Sequence, residues 1–214
     1  MNTEEKIWSF LKAQGLTGAG AAGLMGNLCA ESGLRSNNLQ NSCEGKLGMT
    51  GAEYTERVDK GSYTNFGNDR AGYGLAQWTY PSRKVNLQKF AKDAGKSIGD
   101  LEMQLGFLMK ELSEGYKAVL ATLKTTSSVR AASDAVLLQF ERPADQSEAV
   151  KVKRAGYGQK YFDKYAQKGS GSAMGFSNSS LATVKMISPN RTPNRNHAID
   201  TITIHCFVGQ VTAK

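Results

Sequence analysis

The segment that most constrains the fold is a run of small residues, GAGAAGLMGNLCAE, which begins directly after Thr17. Thr17 is a suitable N-cap for a helix, and Gly33 followed by Leu34 is typical of a helix that ends in a left-handed glycine. Glycine and alanine leave little side chain between neighbouring backbones. The sequence therefore predicts a helix that other parts of the chain approach closely.

Glu31 lies in the last turn of this helix, on its apolar side. Leu24, Leu28 and Glu31 follow one another at steps of four and three, so they share one helical face. Partial burial and the negative end of the helix dipole both favour the protonated form of a carboxyl group. A protonated carboxyl can donate its proton to the leaving oxygen of a glycosidic bond. The alternative, from position alone, is a glutamate that extends to solvent or pairs with a Lys or Arg.

A second segment, GYGLAQW at residues 72–78, combines glycines with aromatic residues. It is not a dinucleotide-binding fingerprint, because Gln77 stands where the third glycine would be and no strand precedes it. Tyr73, Trp78 and the nearby Tyr80 have flat faces that can stack on sugar rings, and Gln77 offers a donor and an acceptor. We predict that these four residues bind substrate. A packed aromatic cluster in the core is the alternative that the pattern leaves open.

Hydrophobic spacing predicts helices over most of residues 1–168, and no alternating strand pattern occurs before residue 180. The clearest stripe has steps of three and four and consists of Ile98, Leu101, Leu105, Leu108 and Leu112. The predicted fold class is therefore mostly α, with one helical domain over residues 1–168.

The last part of the chain has a different composition. Residues 169–183 are rich in Gly and Ser, which is typical of a flexible linker. In residues 184–214 the segment TITIHC alternates as a strand with one buried face does. Because a single strand cannot form a core, we expect residues 184–214 to be an incomplete, β-containing fragment of another domain.

The composition excludes several classes of function. The formal net charge of +8 is spread along the chain without a dense Lys/Arg run, which argues against a nucleic-acid partner. No apolar run approaches the roughly 20 residues that cross a membrane. The three cysteines are too scattered for a disulfide framework or a zinc-ribbon spacing, although a bridge between Cys29 and Cys43 stays an alternative. We expect a monomer without a cofactor. We also expect the protein to be made in the cytoplasm without a signal peptide, because the first ten residues, MNTEEKIWSF, contain no apolar h-region.

Three segments occur in a fixed order: CAESGL, NDRAGYGLAQWTYPSRK and FERPADQSEAVKVKRAGYGQKYFDKY. Together they resemble the phage tail-tip lysozyme domains of peptidoglycan-degrading phage and prophage enzymes, over essentially residues 1–168. The resemblance implies a lysozyme-like helical fold, with Glu31 as the general acid. It also implies cleavage of the glycan at the bacterial cell wall, by an enzyme that a holin releases or that the virion carries.

The resemblance does not identify a second carboxylate. Candidates between the first two segments are Glu44, Glu53, Glu56, Asp59 and Asp69. Asp69 lies three residues before Gly72, so we prefer it as the nucleophile or as the base that activates water. Glu141 and Arg154 are interpreted as members of structural ion pairs at a helix junction.

The tail segment NHAIDTITIHCFVG resembles the first strand of zinc-dependent N-acetylmuramoyl-L-alanine amidases, in which a histidine that closes the strand is a metal ligand. The resemblance places His205 at that position. Because the remaining ligands would lie beyond Lys214, we expect no complete metal site and no amidase activity.

The expected activity is that of a muramidase, which cleaves the MurNAc–GlcNAc glycan of peptidoglycan by general acid catalysis. One alternative is another enzyme on the same glycan, either a lytic transglycosylase or a glucosaminidase. A lytic transglycosylase needs no second carboxylate, because a hydroxyl of the sugar attacks. Another alternative is a non-catalytic module that binds the cell wall. Glu31 argues against pure binding, which gains nothing from a half-buried carboxylate.

Overall fold

The protein is described here from a computed structural model, which describes residues 1–166. Contacts divide the chain into two units, Met1–Ser172 and Ala173–Lys214, and the description below concerns the first. The predicted linker at 169–183, the predicted fragment at 184–214 and His205 lie outside the described residues, so these assignments stay predictions.

Within residues 1–166 the chain forms nine α-helices and one π-helical segment. They are α1 (Thr3–Ala13), α2 (Gly18–Ser32), α3 (Asn41–Leu47), α4 (Gly51–Asp59), α5 (Pro81–Asp93), α6 (Leu101–Glu114), α7 (Lys117–Thr125), α8 (Val129–Ala135), the π-helical segment Val136–Glu141, and α9 (Glu148–Tyr165). Strand-like pairing in this part of the chain consists of two isolated bridges, which join Tyr73 to Leu39 and to Trp78. The mostly α fold class is confirmed.

Helix α2 is the central element of residues 1–166. It contacts α1, α7, α8, α9 and the π-helical segment, and most of its residues are buried. The side chain of Thr17 accepts a hydrogen bond from the backbone N–H of Gly20 and caps the helix. Gly33 ends it with φ +63°, and its N–H donates to the carbonyl of Cys29. Both ends of the helix are therefore where the capping residues predict them.

Glycines in α2 allow neighbouring backbones to come close. A Cβ atom on Gly26 would lie 2.5 Å from the carbonyl oxygen of Arg154 and 2.6 Å from the backbone nitrogen of Gly158, both in α9. A Cβ atom on Gly23 would lie 2.5 Å from Cβ of Ala132 in α8. These distances are shorter than van der Waals contact, so the packing around α2 requires glycine at both positions.

Cys29 and Cys43 are both free thiols, so the alternative of a bridge between them is not realised in this structure.

We expect Gly26→Ala to destabilise the protein, because the added methyl group forces α9 away from α2. Overpacking of this kind costs about 1–3 kcal/mol in the free energy of unfolding. The matched control is Gly156→Ala in α9, where a Cβ atom would meet nothing within 4 Å. That substitution should stabilise the protein by up to about 1 kcal/mol through helix propensity. Chemical denaturation measures both variants, and equal effects of the two would contradict the close packing.

Candidate active site

Glu31 lies in the last turn of α2 with 20% of its side chain exposed. Its Oε1 atom is 2.6 Å from Nη2 of Arg154, which α9 contributes. Nη1 of the same arginine donates to Oδ1 of Asn27 at 3.2 Å. The amide of Asn27 in turn donates to the carbonyl and the hydroxyl of Ser133. A buried hydrogen-bond network from α2, α8 and α9 therefore fixes the arginine that contacts Glu31.

Two adjacent recesses meet at Glu31, and together we call them the cleft. The first, with a volume of about 360 Å³, is lined by Glu31, Gln40, Gly72, Ala76, Gln77, Thr79, Tyr80, Arg83, Glu141 and Pro143. The second, of about 460 Å³, is lined by Ala30, Glu31, Ser32, Gly33, Arg35, Asn38, Gln40, Asn41, Ser42 and Gln77. Glu31, Gln40 and Gln77 line both recesses, so they mark the boundary between them.

Gln77, one of the predicted substrate-binding residues, is held rigidly at this boundary. Its Nε2 atom donates to the carbonyl of Asn38 at 3.0 Å and to that of Gly74 at 3.1 Å. A Cβ atom on Gly72 would lie 2.9 Å from Oε1 of Gln77, so the glycine leaves room for the carboxamide. Both donor hydrogens of the amide are in use, and its oxygen is the group left for a ligand.

The aromatic residues predicted to bind substrate divide into two groups. Tyr80 lines the first recess and is 72% exposed. Tyr73 and Trp78 are fully buried and line neither recess. The structure therefore brings Tyr80, Gln77 and Glu31 together and leaves the other two aromatic residues in the core.

The buried aromatic residues have structural partners. The ring of Tyr73 packs against Tyr54 and Phe66, and its hydroxyl is 2.5 Å from that of Thr55. The indole N–H of Trp78 donates to Oε2 of Glu111 at 2.7 Å. These contacts correspond to the packed cluster that the sequence pattern left as the alternative.

Asp69, the preferred second carboxylate, lies in the core and lines neither recess. Its Oδ1 is 2.5 Å from Nζ of Lys84, and the two side chains are 1% and 0% exposed. Its Oδ2 accepts hydrogen bonds from the hydroxyls of Tyr54 at 2.5 Å and Tyr63 at 3.1 Å. Burial lowers the pKa of Lys84, which Asp69 opposes through a hydrogen bond and its charge. The structure thus gives Asp69 the role of counterion to a buried lysine, rather than a place beside Glu31.

Glu141 is the second carboxyl residue that lines the first recess, together with Glu31. It lies at the end of the π-helical segment Val136–Glu141, and its Oε1 is buried without a hydrogen-bond partner among the described residues. Sequence reasoning assigned it to a structural ion pair. Glu141 belongs to the FERP motif, which contributed to the family resemblance. That motif was the sequence feature that could have indicated a location in the cleft.

The two glutamates of the cleft have different electrostatic surroundings. Burial raises the pKa of Glu141 to about 8, the charge of Glu31 adds to this rise, and Arg83 and Arg154 oppose it. Arg154 forms an ion pair with Glu31 instead. The cleft therefore places a carboxyl group with a raised pKa in the same recess as one that contacts an arginine, and enzymes use such differences to separate the roles of two carboxyl groups.

Neither a metal-holding cluster nor a membrane-spanning helix is found within residues 1–166. No group of three or more His, Cys, Asp or Glu side chains in this range is arranged to hold a metal ion. No helix in the same range is long and apolar enough to cross a membrane.

The family model described as phage tail lysozyme matches residues 2–165, which include every residue that lines the cleft. No curated protein matches the chain.

We expect Asp69→Asn to destabilise the protein strongly, because it leaves the charge of Lys84 buried without a counterion. Loss of one partner of a buried ion pair costs about 3–5 kcal/mol in the free energy of unfolding. The double variant Asp69→Asn/Lys84→Met removes both charges and should recover most of this loss. Chemical denaturation of the two variants checks the expectation. An Asp69→Asn protein as stable as wild type, but unable to cleave peptidoglycan, would instead favour a catalytic role for Asp69.

Proposed function

Because the chain belongs to the phage tail lysozyme family, we propose that it is a muramidase, which hydrolyses the bond between MurNAc and GlcNAc in the glycan of peptidoglycan. Membership makes it a lysozyme-like glycoside hydrolase with bacterial peptidoglycan as its substrate. The choice of bond and the general acid mechanism with Glu31 are the parts that we propose. The site of action is the bacterial cell wall, which the enzyme reaches through a holin or as part of a virion.

The observation that carries the proposal is the position of Glu31 where the two recesses meet. A glycan strand that occupies both recesses passes over this carboxyl group, so the bond to be cleaved lies beside it. The carboxyl protonates the glycosidic oxygen, the bond from that oxygen to the anomeric carbon breaks, and water completes hydrolysis. Its limited exposure, 20% of the side chain, leaves it accessible from the cleft while excluding much of the bulk water.

Other residues of the cleft have suitable chemistry for a sugar. Gln40 and Gln77 present amide groups at the boundary of the recesses, where acetamido groups and hydroxyls need hydrogen-bond partners. Tyr80 offers an exposed ring on which a sugar can stack.

The presence of Glu141 in the same recess favours hydrolysis over the transglycosylase alternative, because a transglycosylase needs no second carboxyl group. The cleft also argues against a module that only binds the cell wall. A module of that kind gains nothing from two carboxyl groups in a partly buried site, and their desolvation destabilises the fold.

Glu31→Gln should abolish lysis of bacterial cell walls, since it removes the transferable proton and keeps the size of the side chain. Loss of one acid catalyst typically reduces the rate by about 10²- to 10⁴-fold. The matched control is Glu114→Gln, which changes an exposed glutamate of α6 outside the cleft. A turbidity assay on purified walls measures both variants, and circular dichroism checks that they are folded. Wild-type turnover in Glu31→Gln would refute the assignment of Glu31.

The bond that is cleaved can be identified by mass spectrometry of digested peptidoglycan. We expect fragments with reducing muramic acid ends. Anhydro-muramic acid ends would indicate a transglycosylase, and reducing glucosamine ends a glucosaminidase. Retention on cell walls without any fragments would indicate a binding module.

A further inference from the structure

Glu141 is a buried carboxyl group whose part in the reaction is not defined by the proton transfer assigned to Glu31. It lines the recess next to Glu31, and its Oε1 has no hydrogen-bond partner among residues 1–166. A buried carboxyl oxygen without a partner is costly in a folded protein and calls for a functional explanation.

Four charged groups from four helices surround Glu141: Glu31 of α2, Arg83 of α5, Glu111 of α6 and Arg154 of α9. They form two ion pairs. Arg83 donates two hydrogen bonds to Glu111, at 2.7 Å and 2.8 Å, and Arg154 lies 2.6 Å from Glu31. The two positive and two negative charges balance, so an ionised Glu141 would be a fifth, unbalanced charge in a buried place. The surroundings therefore favour its neutral form.

The backbone holds Glu141 in this position at some cost. π-Helical turns are rare and occur frequently at functional sites. The next residue, Arg142, has φ +49°, a conformation that costs a non-glycine residue about 1 kcal/mol or more. Packing of Phe140 keeps the segment in place, since its ring lies 4.9 Å from that of Tyr116 and 4.6 Å from the guanidinium of Arg83.

We propose that Glu141 is a positioning residue for the catalytic proton: it forms a pair with Glu31 that retains one proton in the cleft at neutral pH. Glu31 passes this proton to the glycosidic oxygen as the bond from that oxygen to the anomeric carbon breaks. Water then gives its hydroxyl to the anomeric carbon and its proton back to the pair, which restores the starting state. The proposal rests on the proposed function, because it concerns the proton that the muramidase reaction consumes.

The pair solves a difficulty in the surroundings of Glu31. The Oε1 atom of Glu31 lies 2.6 Å from Nη2 of Arg154, so a cation already contacts the group that must deliver a proton. A second carboxyl group in the same recess favours retention of a proton by the pair, because the charge of one carboxylate disfavours ionisation of the other. The retained proton is therefore assigned to the pair of Glu31 and Glu141, rather than to one of the two carboxyl groups. Burial and the charge of Glu31 raise the pKa of Glu141 to about 8. The pair therefore keeps the proton bound at neutral pH.

The first test is the pH dependence of wall lysis by Glu141→Gln, with Glu141→Asp and Glu114→Gln as controls. The alkaline limb of Glu141→Gln should shift to lower pH by about one unit or more, which corresponds to about a tenfold loss at pH 8. Its loss of activity at pH 5 should be clearly smaller than its loss at pH 8, since carboxyl groups bind protons readily at pH 5. Glu141→Asp, which keeps a carboxyl group, should restore much of the alkaline activity, and Glu114→Gln should match wild type. An unchanged limb in Glu141→Gln, or an equal loss at every pH, would overturn the proposal.

The second test uses the stability of the whole chain and needs no activity. A carboxyl group with a raised folded-state pKa stabilises the protein fully below its unfolded-state value, and this stability is lost as pH rises through the folded-state value. For Glu141 the loss falls between about pH 4.5 and about pH 8. The melting temperature of Glu141→Gln relative to wild type should therefore be higher at pH 8.5 than at pH 5. A difference that is the same at both pH values would overturn the proposal.

The two tests separate the proposal from the function on which it rests. If wild type released no glycan fragments, the proposed function would fail, while the melting temperatures would still report on the proton of Glu141. If wild type cleaved the glycan and the pH effects were absent, the proposed function would stand and the role of Glu141 would be refuted.

Discussion

The close contact between α2 and α9 is the constraint on which the candidate site depends. Gly26 lies against the backbone of Arg154, at a distance that no side chain would permit. This contact brings the guanidinium of Arg154 to Glu31 at the end of α2, where Asn27 also holds it. The small residues of α2 thus affect the candidate site as well as the core. They determine which cation faces the carboxyl group and how closely.

The charged groups near Glu141 form two ion pairs, and the contact between α2 and α9 positions one of them. Each of the two arginines near Glu141 already has a carboxylate partner, Glu111 for Arg83 and Glu31 for Arg154. Ion pairs that are largely buried are held in place because separating them leaves an uncompensated charge. A further carboxyl group in the same place is therefore forced toward its neutral form. Burial is the main cause of the raised pKa of Glu141, and the two arginines that oppose it are each already paired.

The sequence predicted the parts of the structure that depend on local chemistry. The caps of α2, its close contacts and the place of Glu31 at its end all follow from residue types at fixed spacings. The locations of Tyr73 and Trp78 are harder to predict, because periodicity does not tell whether an aromatic residue in an irregular segment faces a cleft or the core. Asp69 was assigned by its distance along the chain from Gly72. Asp69 lies in the irregular segment between α4 and α5, its partner Lys84 lies in α5, and only the tertiary structure reveals that ion pair.

Glu141 shows a further limit of sequence patterns, because its position depends on backbone geometry that hydrophobic spacing does not encode. Of the residues that the structure describes, four non-glycine residues have positive φ: Leu34, Arg70, Gln77 and Arg142. Gln77 itself lines the cleft. Leu34 and Arg142 lie in sequence between residues that line the cleft: Gly33 and Arg35 for Leu34, and Glu141 and Pro143 for Arg142. Conformations of this kind persist only where the surrounding packing imposes them, and they cluster at functional sites. Three of the four positive-φ residues therefore lie in the cleft or directly beside residues that line it, which links the unusual backbone geometry to the candidate site.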